Sequence, residues 1–582
     1  MDAPVETARA KGSFSLGAWF GAVGKKVIVY SIASRTDGLR PECVLMSLRI
    51  LGLLVASGFV TAHAPGQTPA PGHIDPFPVL DRAAEAMGVD QLGCISFSGT
   101  GYAGMVGQNI EQSSDWPLGE PLDDYSRTID FERRTSVERF RRKPVLNPAS
   151  WKYGSGWLGG TPLQQHEQQT FAVAGSDAWY VDGIDGTPVA APEVADLWQL
   201  DIWMTPHGFV KAARMPGAET TAIWRWELGE SGRDGATTSN IQKVIVVSAT
   251  VLDKYRVNAT VREGNIVQRT QTRVPHPVLG DMNYEHEFTS WQQVGDGIIF
   301  PAGWHKHDGW DDERQVPLIT GGHNSFGGNF PDITANDCTP LAVPDVVRQA
   351  PPADHFVETS KLAEGVWLLG GGSHNSVAVE FAGYVAIIEA PLNERRSLAV
   401  IDKVVKLVPD KPIRFLVNTH DHYDHLGGLR TYLHIGATIV THQRNRLFYE
   451  SELLNYVPRT LEPDMVSLYP PTEISEGYTM EDVDEKYILG DGERFLEIYY
   501  VQGLGIHVEG MLMAYLPGER IVIEADLYDP GLLPDDIPRP TETEHAFYNN
   551  VIQNGLSPAL VAPIHGEAVP WERFLEETKQ DR

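Results

Sequence analysis

Cysteine is scarce in this chain: its 582 residues include three, Cys43, Cys94 and Cys338. None stands in a Cys-x-x-Cys pair, which argues against a thiolate zinc site and against thioredoxin-like chemistry. Cys43 would be lost with an N-terminal signal. The other two could then form a disulfide in an exported protein, and two free buried thiols are the equal alternative.

Basic residues are also in the minority, with 47 Lys and Arg against 77 Asp and Glu and a formal net charge of −30. A charge of this sign favours solubility and opposes binding to nucleic acid and to anionic membranes. We therefore expect no nucleic-acid partner. Hydrophobic residues make up 42% of the chain and charged residues 21%, which is typical of globular proteins.

Long apolar runs are missing as well. The clearest one, residues 50–60, follows a short basic segment and leads into the small-residue pattern Val60-Thr61-Ala62. It is short for a membrane span, and the arrangement is typical of an export signal. We expect a signal peptide over Met46–Ala62, a periplasmic or secreted mature chain, and no stable membrane span after processing. An uncleaved anchor or a buried helix is the alternative.

The length predicts more than one domain, and composition shifts place the boundaries. The predicted segments are an N-terminal extension with the signal, a Pro-rich linker, a β-rich domain, a second linker and a mixed domain, at residues 1–64, 65–78, 79–342, 343–354 and 355–582.

Alternating polar and apolar residues in the β-rich domain predict antiparallel hairpins, for example residues 254–261 with 266–274. The tryptophans at positions 198, 203, 224 and 226 favour an aromatic core over an aromatic groove. The domain resembles the open half-barrels of periplasmic lipoprotein carriers, which implies a surface that could capture an apolar ligand.

Strands alternate with helices in residues 355–582, which predicts a layered α/β domain. A hairpin is expected around Ala382-Gly383 and a helix at Glu394–Leu407, followed by the apolar strand Ile413–Val417. The Gly370-Gly371-Gly372-Ser373 stretch lacks the Lys-Ser/Thr continuation of a phosphate loop.

Three imidazoles and two carboxylates come directly after that strand, in His420-Asp421-His422-Tyr423-Asp424-His425. Open α/β sheets bind ligands at the carboxyl ends of their strands. A single His is more often an ordinary polar residue, but groups this crowded need a cation to offset their burial. Histidine and aspartate ligands indicate a divalent cation, with zinc the first choice. Gly427-Gly428 then predicts a tight turn into a helix.

Further candidates stand downstream, each at the end of an apolar run: His507, Asp526 and His565. Because strand ends meet at one edge of a sheet, we expect these side chains to converge on the first group.

Together these motifs resemble those of the metallo-β-lactamase superfamily over about residues 355–582. The resemblance implies an αββα sandwich with two zinc ions, manganese or iron being alternatives. By position, one ion would be held by His420, His422 and His507 and the second by Asp424, His425 and His565, with Asp526 as the bridge. Glu389 stands where the family often has Asp, at a place that supports the ligands.

The implied function is that of an exported binuclear zinc hydrolase. A metal-bridging hydroxide would cleave an ester, thioester, lactone or related bond of a small substrate. Asp424 would be catalytic as well as a ligand, orienting the nucleophile and helping to move its proton. Members that destroy β-lactams usually lack a carboxylate where Asp526 stands, and flavodiiron members need Glu where His422 stands.

Two alternatives remain open. One is a β-lactamase-like amide hydrolase, and the other is a binding or relay protein whose β-rich domain captures an apolar ligand. The expected partner is a small molecule, and the sequence leaves its identity and the oligomeric state undetermined.

Other roles are predicted for several residues outside the proposed ligand set. Asp421 is expected to accept an imidazole N–H, and Tyr423 could donate to an oxyanion or simply pack. His374 and His442 are disfavoured as ligands and as substrate contacts. The histidines of the β-rich domain are expected to be hydrogen-bonded and not to form a second metal site. Residues 445–478 and 528–544 are expected to wall the substrate pocket.

Overall fold

The computed structural model describes residues 72–104, 106–110, 116, 121–142, 167–184, 186–228, 241–309, 323–351, 356–454, 459–470, 478–504, 507–530 and 539–580. The predicted signal at Met46–Ala62 lies outside these residues. The chain from Pro69 to Arg582 forms one compact unit. Within the described residues, no helix has the length and apolarity needed to span a membrane.

The β-rich domain is one 14-stranded antiparallel sheet, as the alternating pattern predicts. The predicted hairpin is present, with Asn258 opposite Gln271. In spatial order the strands are β1, β8 to β14, then β2 to β7. Their bounds are β1 His73–Ile74, β2 Cys94–Ala103, β3 Pro121–Asp130, β4 Thr135–Arg142, β5 Glu167–Ala174, β6 Asp177–Asp182, β7 Val189–Ala190, β8 Thr221–Leu228, β9 Ile241–Val251, β10 Tyr255–Val261, β11 Val267–His276, β12 Gly280–Gly295, β13 Ile298–Asp308 and β14 His323–Ala335.

Helices of this domain pack against the sheet. Helix α1 (Phe77–Met87) contacts β13, α2 (Ala195–Trp203) contacts β4 and β5, and α3 (Pro206–Ala213) contacts β9 and β11. Helix α3 begins at an N-cap where the Thr205 hydroxyl accepts from the Gly208 N–H. A short helix, α4 (Asp345–Arg348), follows the sheet.

A disulfide joins Cys94, at the start of β2, to Cys338, just beyond β14. The sequence left this bond and two free thiols as equal alternatives. The two strands pair with each other in the sheet, so their ends bring the thiols together.

The prediction of an aromatic core is wrong for two of the four tryptophans. Trp203 is buried, but Trp224 and Trp226 are 37% and 56% exposed. Both lie on β8, whose outer neighbour is the two-residue strand β1, so this end of the sheet leaves one face of the strand in solvent. Alternation places residues two apart on the same face, which explains why the two rings share this exposure.

The C-terminal domain contains two further sheets. One is seven-stranded and runs from β15 to β21 in order, with β18 to β21 parallel. The other is six-stranded and runs from β22 to β27. The bounds are β15 Glu358–Ala363, β16 Val366–Gly370, β17 Ser376–Glu380, β18 Val385–Ile388, β19 Ile413–Val417, β20 Thr438–His442, β21 Met480–Val483, β22 Lys486–Gly490, β23 Phe495–Tyr500, β24 Leu512–Leu516, β25 Ile521–Glu524, β26 Leu560–Pro563 and β27 Val569–Pro570.

Helices cover the outer faces of these two sheets. The helix bounds are α5 Glu394–Leu407, α6 Tyr423–Leu426, α7 Leu429–His434, α8 Arg446–Phe448, α9 Met465–Leu468, α10 Glu542–Gln553 and α11 Trp571–Thr578. One apolar core lies between the sheets, a second joins the β22–β27 sheet to α10 and α11, and a third joins α5 and α7 to the other sheet. The predicted α/β class is confirmed: an αββα sandwich follows a large antiparallel β domain.

The Gly427-Gly428 pair forms the predicted turn into a helix, because α7 begins at Leu429. Helix α6 already begins at Tyr423, and Gly427 has a right-handed helical φ of −58°. A Cβ on Gly427 would lie 1.9 Å from the Leu392 carbonyl oxygen. The glycine is needed because another backbone segment passes too close for any side chain.

Candidate metal centre

The loops that follow four strands meet at one edge between the two C-terminal sheets. His420 follows β19, His507 follows β23, Asp526 follows β25 and His565 follows β26. Because the β18–β19–β20 and β25–β26 pairs are parallel, their carboxyl ends point to the same side. The structure therefore brings together the residues that the sequence places at strand ends.

The first cluster contains His420, His422, His507 and Asp526, all buried, with ligand atoms within 4.8 Å of one another. Nε2 of His420 lies 3.4 Å from Asp526 Oδ2. Nε2 of His507 lies 3.2 Å from the same oxygen. Three imidazole nitrogens and a carboxylate oxygen at this spacing match the donor set of a divalent cation.

The second cluster contains His374, Asp424, His425 and His565. The other oxygen of Asp526 faces it: Oδ1 lies 2.9 Å from His565 Nε2 and 3.1 Å from His425 Nε2. Asp526 thus lies between the clusters, with one oxygen toward each. Its backbone φ is +58°, in the left-handed region that Asp tolerates better than most residues.

His374 is the member that sequence reasoning missed. Its Nε2 lies 3.0 Å from Asp424 Oδ2, and its Nδ1 hydrogen-bonds the Ser373 hydroxyl at 2.8 Å. The next residue fixes the loop, because Asn375 Nδ2 donates to the carbonyls of Pro563 and Gly566 on either side of His565. The available signal was position: His374 follows the apolar strand β16, like the other cluster residues.

The outward nitrogens of the histidines are held by hydrogen bonds. His425 Nδ1 pairs with Glu389 Oε2 at 2.9 Å, and His420 Nδ1 with the Thr419 hydroxyl at 2.9 Å. His565 Nδ1 pairs with the Ser373 carbonyl at 3.2 Å. Each bond sets the ring orientation and turns the opposite nitrogen toward the clusters, as outer partners of metal ligands do.

His422 supplies the most direct test of whether a metal fits. Its Nε2 pairs with the Asn109 carbonyl at 3.1 Å, whereas its Nδ1 is buried and has no hydrogen-bond partner in the described part of the chain. A buried ring nitrogen without a partner is costly unless something occupies its lone pair. The residues therefore fit a cation at the first cluster.

Glu389 supports the centre even though it replaces the family's Asp. Besides His425, it accepts from the Thr419 N–H at 2.5 Å and from Asn418 Nδ2 at 3.2 Å. Its φ is +72°, a conformation that costs about 1–3 kcal/mol and persists where the surroundings enforce it. The longer side chain thus reaches the same ligand loop through both of its oxygens.

At the first cluster the electrostatics favour neutral imidazoles beside an ionised carboxylate. Burial lowers the pKa of His420 to about 3 and holds the pKa of His422 well below its usual value. Burial alone would raise the pKa of Asp526, but the facing imidazoles, His425 first, outweigh it and hold that pKa well below the usual range. At the second cluster burial alone would lower the pKa of His425 and of His565, but the facing Asp526 carboxylate raises both. Metal binding requires neutral imidazoles, so a cation there would have to displace protons from these two rings.

Other predicted residues have ordinary packing roles. The Tyr423 ring packs against Trp116 and Phe448, at centroid distances of 6.1 and 5.9 Å. His442 stacks on Tyr500 at 4.3 Å. Asp421 is buried beside the centre, and its proposed hydrogen bond to an imidazole stays a prediction.

The β-rich domain contributes no further group of three or more His, Cys, Asp or Glu ligands among the residues described. His276 Nδ1 instead accepts from the N–H groups of Val278 and Leu279, and His307 Nδ1 pairs with Glu285.

Residues 369–551 match the sequence model of the metallo-beta-lactamase superfamily. These residues make up most of the C-terminal domain, so the resemblance of this domain to that superfamily is confirmed. No curated protein sequence matches the chain significantly.

Solved structures of metallo-beta-lactamases are similar to part of this chain. One from Pontibacter korlensis is 16% identical, with 39% of this chain and 100% of its own aligned and a TM-score of 0.29. One from Hirschia baltica is 20% identical, with 39% and 99% aligned and a TM-score of 0.29. FIM-1 from Pseudomonas aeruginosa, in a mono-zinc form, is 19% identical, with 39% and 96% aligned and a TM-score of 0.29.

Proposed function

We propose that this protein is a binuclear zinc-dependent hydrolase of a small ester, thioester, lactone or related substrate. The observation that carries the proposal is the pair of His/Asp clusters that share Asp526, one carboxylate oxygen toward each. The metallo-beta-lactamase superfamily consists mostly of metal-dependent hydrolases. Zinc is the first choice for imidazole and carboxylate donors, and manganese or iron are the alternatives.

Two cations in such a centre would activate a water molecule and polarise the substrate oxygen. The protein's part is to hold the donors rigidly before substrate arrives. Glu389 and Thr419 fix His425 and His420, and Asp526 spans the two clusters. Asp424 adds an oxygen that faces both His374 and His425, at 3.0 and 3.5 Å, where it can orient a water and take up its proton.

The test is hydrolysis by the zinc-loaded full chain with a panel of lactone, thioester, phosphodiester and β-lactam substrates. His420→Ala and Asp526→Ala should each reduce turnover to background, because each removes a donor that neighbouring side chains cannot replace. His434→Ala at the end of α7, outside both clusters, is the matched control and should retain activity. Turnover that persists in both cluster variants would refute the proposal.

The panel also tests the bond class. We expect the highest kcat/KM for the lactone or the thioester, the two members of the panel that carry the proposed bond classes. If the β-lactam alone is turned over, the protein is instead an amide hydrolase of the β-lactamase type.

We further propose that the protein acts in the periplasm or outside the cell. The support is the signal-like pattern at Met46–Ala62 together with the Cys94–Cys338 disulfide, since such bonds persist in oxidising compartments. N-terminal sequencing of the mature protein should find a start just after Ala62. A mature chain that begins at Met1 would contradict the export proposal.

A further inference from the structure

A segment of the β-rich domain lies against the metal centre of the other domain. This segment, residues 106–110, follows β2. The Gly107 carbonyl accepts from the Tyr423 N–H at 3.3 Å, and the Ile110 carbonyl accepts from the Glu509 N–H at 2.9 Å. The segment is therefore bound to the loop that carries His422 to His425 and to the loop that follows His507.

Gly107 makes the close approach possible. Its φ is +74°, and a Cβ there would lie 2.1 Å from Cγ of Tyr423. A side chain at this position would both strain the backbone and push the segment off the ligand loop. The close fit shows that these two parts of the chain are packed as one surface.

Gln108 reaches a predicted metal ligand. Its Nε2 donates to Asp424 Oδ1 at 2.8 Å, while Asp424 Oδ2 faces the second cluster, 3.0 Å from His374 Nε2. The carboxylate is thereby held with one oxygen outward and one inward. Gln108 is itself 7% exposed, so this hydrogen bond is shielded from competing water.

The amide orientation of Gln108 follows from its partner. A carboxylate accepts hydrogen bonds, so Nε2 faces Asp424 and Oε1 points away. That oxygen is buried and has no hydrogen-bond partner among the described residues. An unpaired buried acceptor is costly. The position of the side chain therefore satisfies Asp424 but leaves Oε1 of Gln108 without a hydrogen bond among the described residues.

Asn109 acts on the first cluster through its backbone. Its carbonyl accepts from His422 Nε2 at 3.1 Å. This bond fixes the tautomer with the proton on Nε2 and leaves the Nδ1 lone pair directed inward. The same segment therefore orients one residue from each cluster.

We propose that residues 106–110 are an integral part of the metal centre, with Gln108 positioning Asp424 and the Asn109 carbonyl positioning His422. The β-rich domain then completes the site instead of serving as a separate module. This inference rests on the proposed metal centre. It gives the β-rich domain a role in that centre, which is to position Asp424 and His422.

The test compares Gln108→Met with the wild-type full chain. Methionine is close to glutamine in length but cannot donate to Asp424. We expect the second equivalent of Zn²⁺ or Co²⁺ to bind about 10- to 100-fold more weakly, as measured by competition with a chromophoric chelator. The visible absorption of the Co²⁺-loaded protein should also change, because the orientation of a carboxylate ligand changes.

Gln292→Ala, at an exposed position of β12, is the matched control and should leave both readouts unchanged. The melting temperature of the metal-free variants shows whether a substitution destabilises the fold as well as weakening metal binding. If Gln108→Met lowers it strongly, the smaller Gln108→Ala replaces it in the same measurements.

Equal affinity and an identical Co²⁺ spectrum in both Gln108 variants and the wild type would overturn the inference while leaving the hydrolase proposal intact. The inference would also be overturned if the Gln108 variants lost metal only in proportion to their loss of folded protein. A wild-type chain that binds no metal would instead refute the proposed function.

Discussion

At the scale of single residues, the centre is organised by groups that do not themselves face the clusters. Glu389, Thr419 and the carbonyls of Ser373 and Asn109 each hold one nitrogen of a histidine. The imidazoles therefore cannot rotate freely, and their inward nitrogens are placed before any cation binds. Preorganisation of this kind lowers the entropic cost of binding.

Glu389→Gln tests this arrangement. Glutamine has one acceptor oxygen, so it cannot accept from both His425 and Thr419, and its amide N–H would face a donor. We expect zinc affinity to fall about 10- to 100-fold and the free energy of unfolding to fall by about 1–3 kcal/mol. Isothermal titration calorimetry and urea unfolding measure the two effects.

Glu358→Gln is the control, because Glu358 is exposed on β15. Unchanged zinc affinity in Glu389→Gln would show that His425 does not depend on this carboxylate.

The sequence predicts the residues that carry a local signal. His420 to His425 form a crowded motif after an apolar strand, and His507, Asp526 and His565 stand at strand ends. His374 also follows a strand, β16, and this signal was overlooked, whereas Gln108 could not be predicted because it lies in the other domain and its contact to Asp424 spans 316 residues. Such pairs depend on tertiary packing, which no short pattern encodes.

At the level of helices and strands, the sequence predicts the hairpins, but it does not predict the order in which the strands lie in the sheet. The alternation of residues 254–274 predicts β10 and β11, which are joined by a short turn. The pairing of β14 with β2 joins the two runs of strands in the sheet, although these two strands are more than 200 residues apart in the chain. Neighbouring residues cannot encode that pairing, nor the place of β8 near one end of the sheet, where Trp224 and Trp226 are exposed.

The disulfide reinforces this long-range pairing. It closes a loop of 244 residues, for which the chain-entropy argument gives a contribution of about 5 kcal/mol, and measured losses are typically about 2–5 kcal/mol. We expect the double variant Cys94→Ser/Cys338→Ser to unfold at a clearly lower urea concentration than the oxidised wild type. Its zinc affinity should be unchanged, because both cysteines lie outside the two clusters.

An equal urea midpoint for the reduced and oxidised wild-type protein would contradict this prediction. It would mean that the β2–β14 pairing is already fully constrained by the sheet.

At the scale of the whole molecule, the two domains are joined by buried polar contacts. The Asp281 carboxylate accepts from the N–H groups of Thr460 and Leu461 and from the Thr460 hydroxyl. Arg459 donates to the carbonyls of His276, Pro277 and Val278. Part of the loop expected to wall the substrate pocket, residues 445–478, therefore fastens one domain to the other.

Asp281→Ala should weaken this junction. It leaves buried N–H groups without an acceptor, so we expect a loss of about 3 kcal/mol in the free energy of unfolding. Asp296→Ala, at an exposed turn of the same domain, should change the free energy by less than about 0.5 kcal/mol. If the two variants are equally stable in urea, the Asp281 contacts do not stabilise the molecule.

The composition of the chain predicts two folded domains, but it does not predict how the two domains pack against each other. Segment 106–110 lies against the two His/Asp clusters, and the Asp281 and Arg459 contacts together with the shared apolar core hold the two domains in place.

Zinc titration of the metal-free full chain, with turnover followed in the same samples, tests the proposed two-metal hydrolytic centre most directly. We expect two tightly bound equivalents of zinc per chain, hydrolysis that rises with zinc occupancy, and loss of both on adding a chelator. Less than one tightly bound equivalent, or hydrolysis that continues without metal, would contradict it.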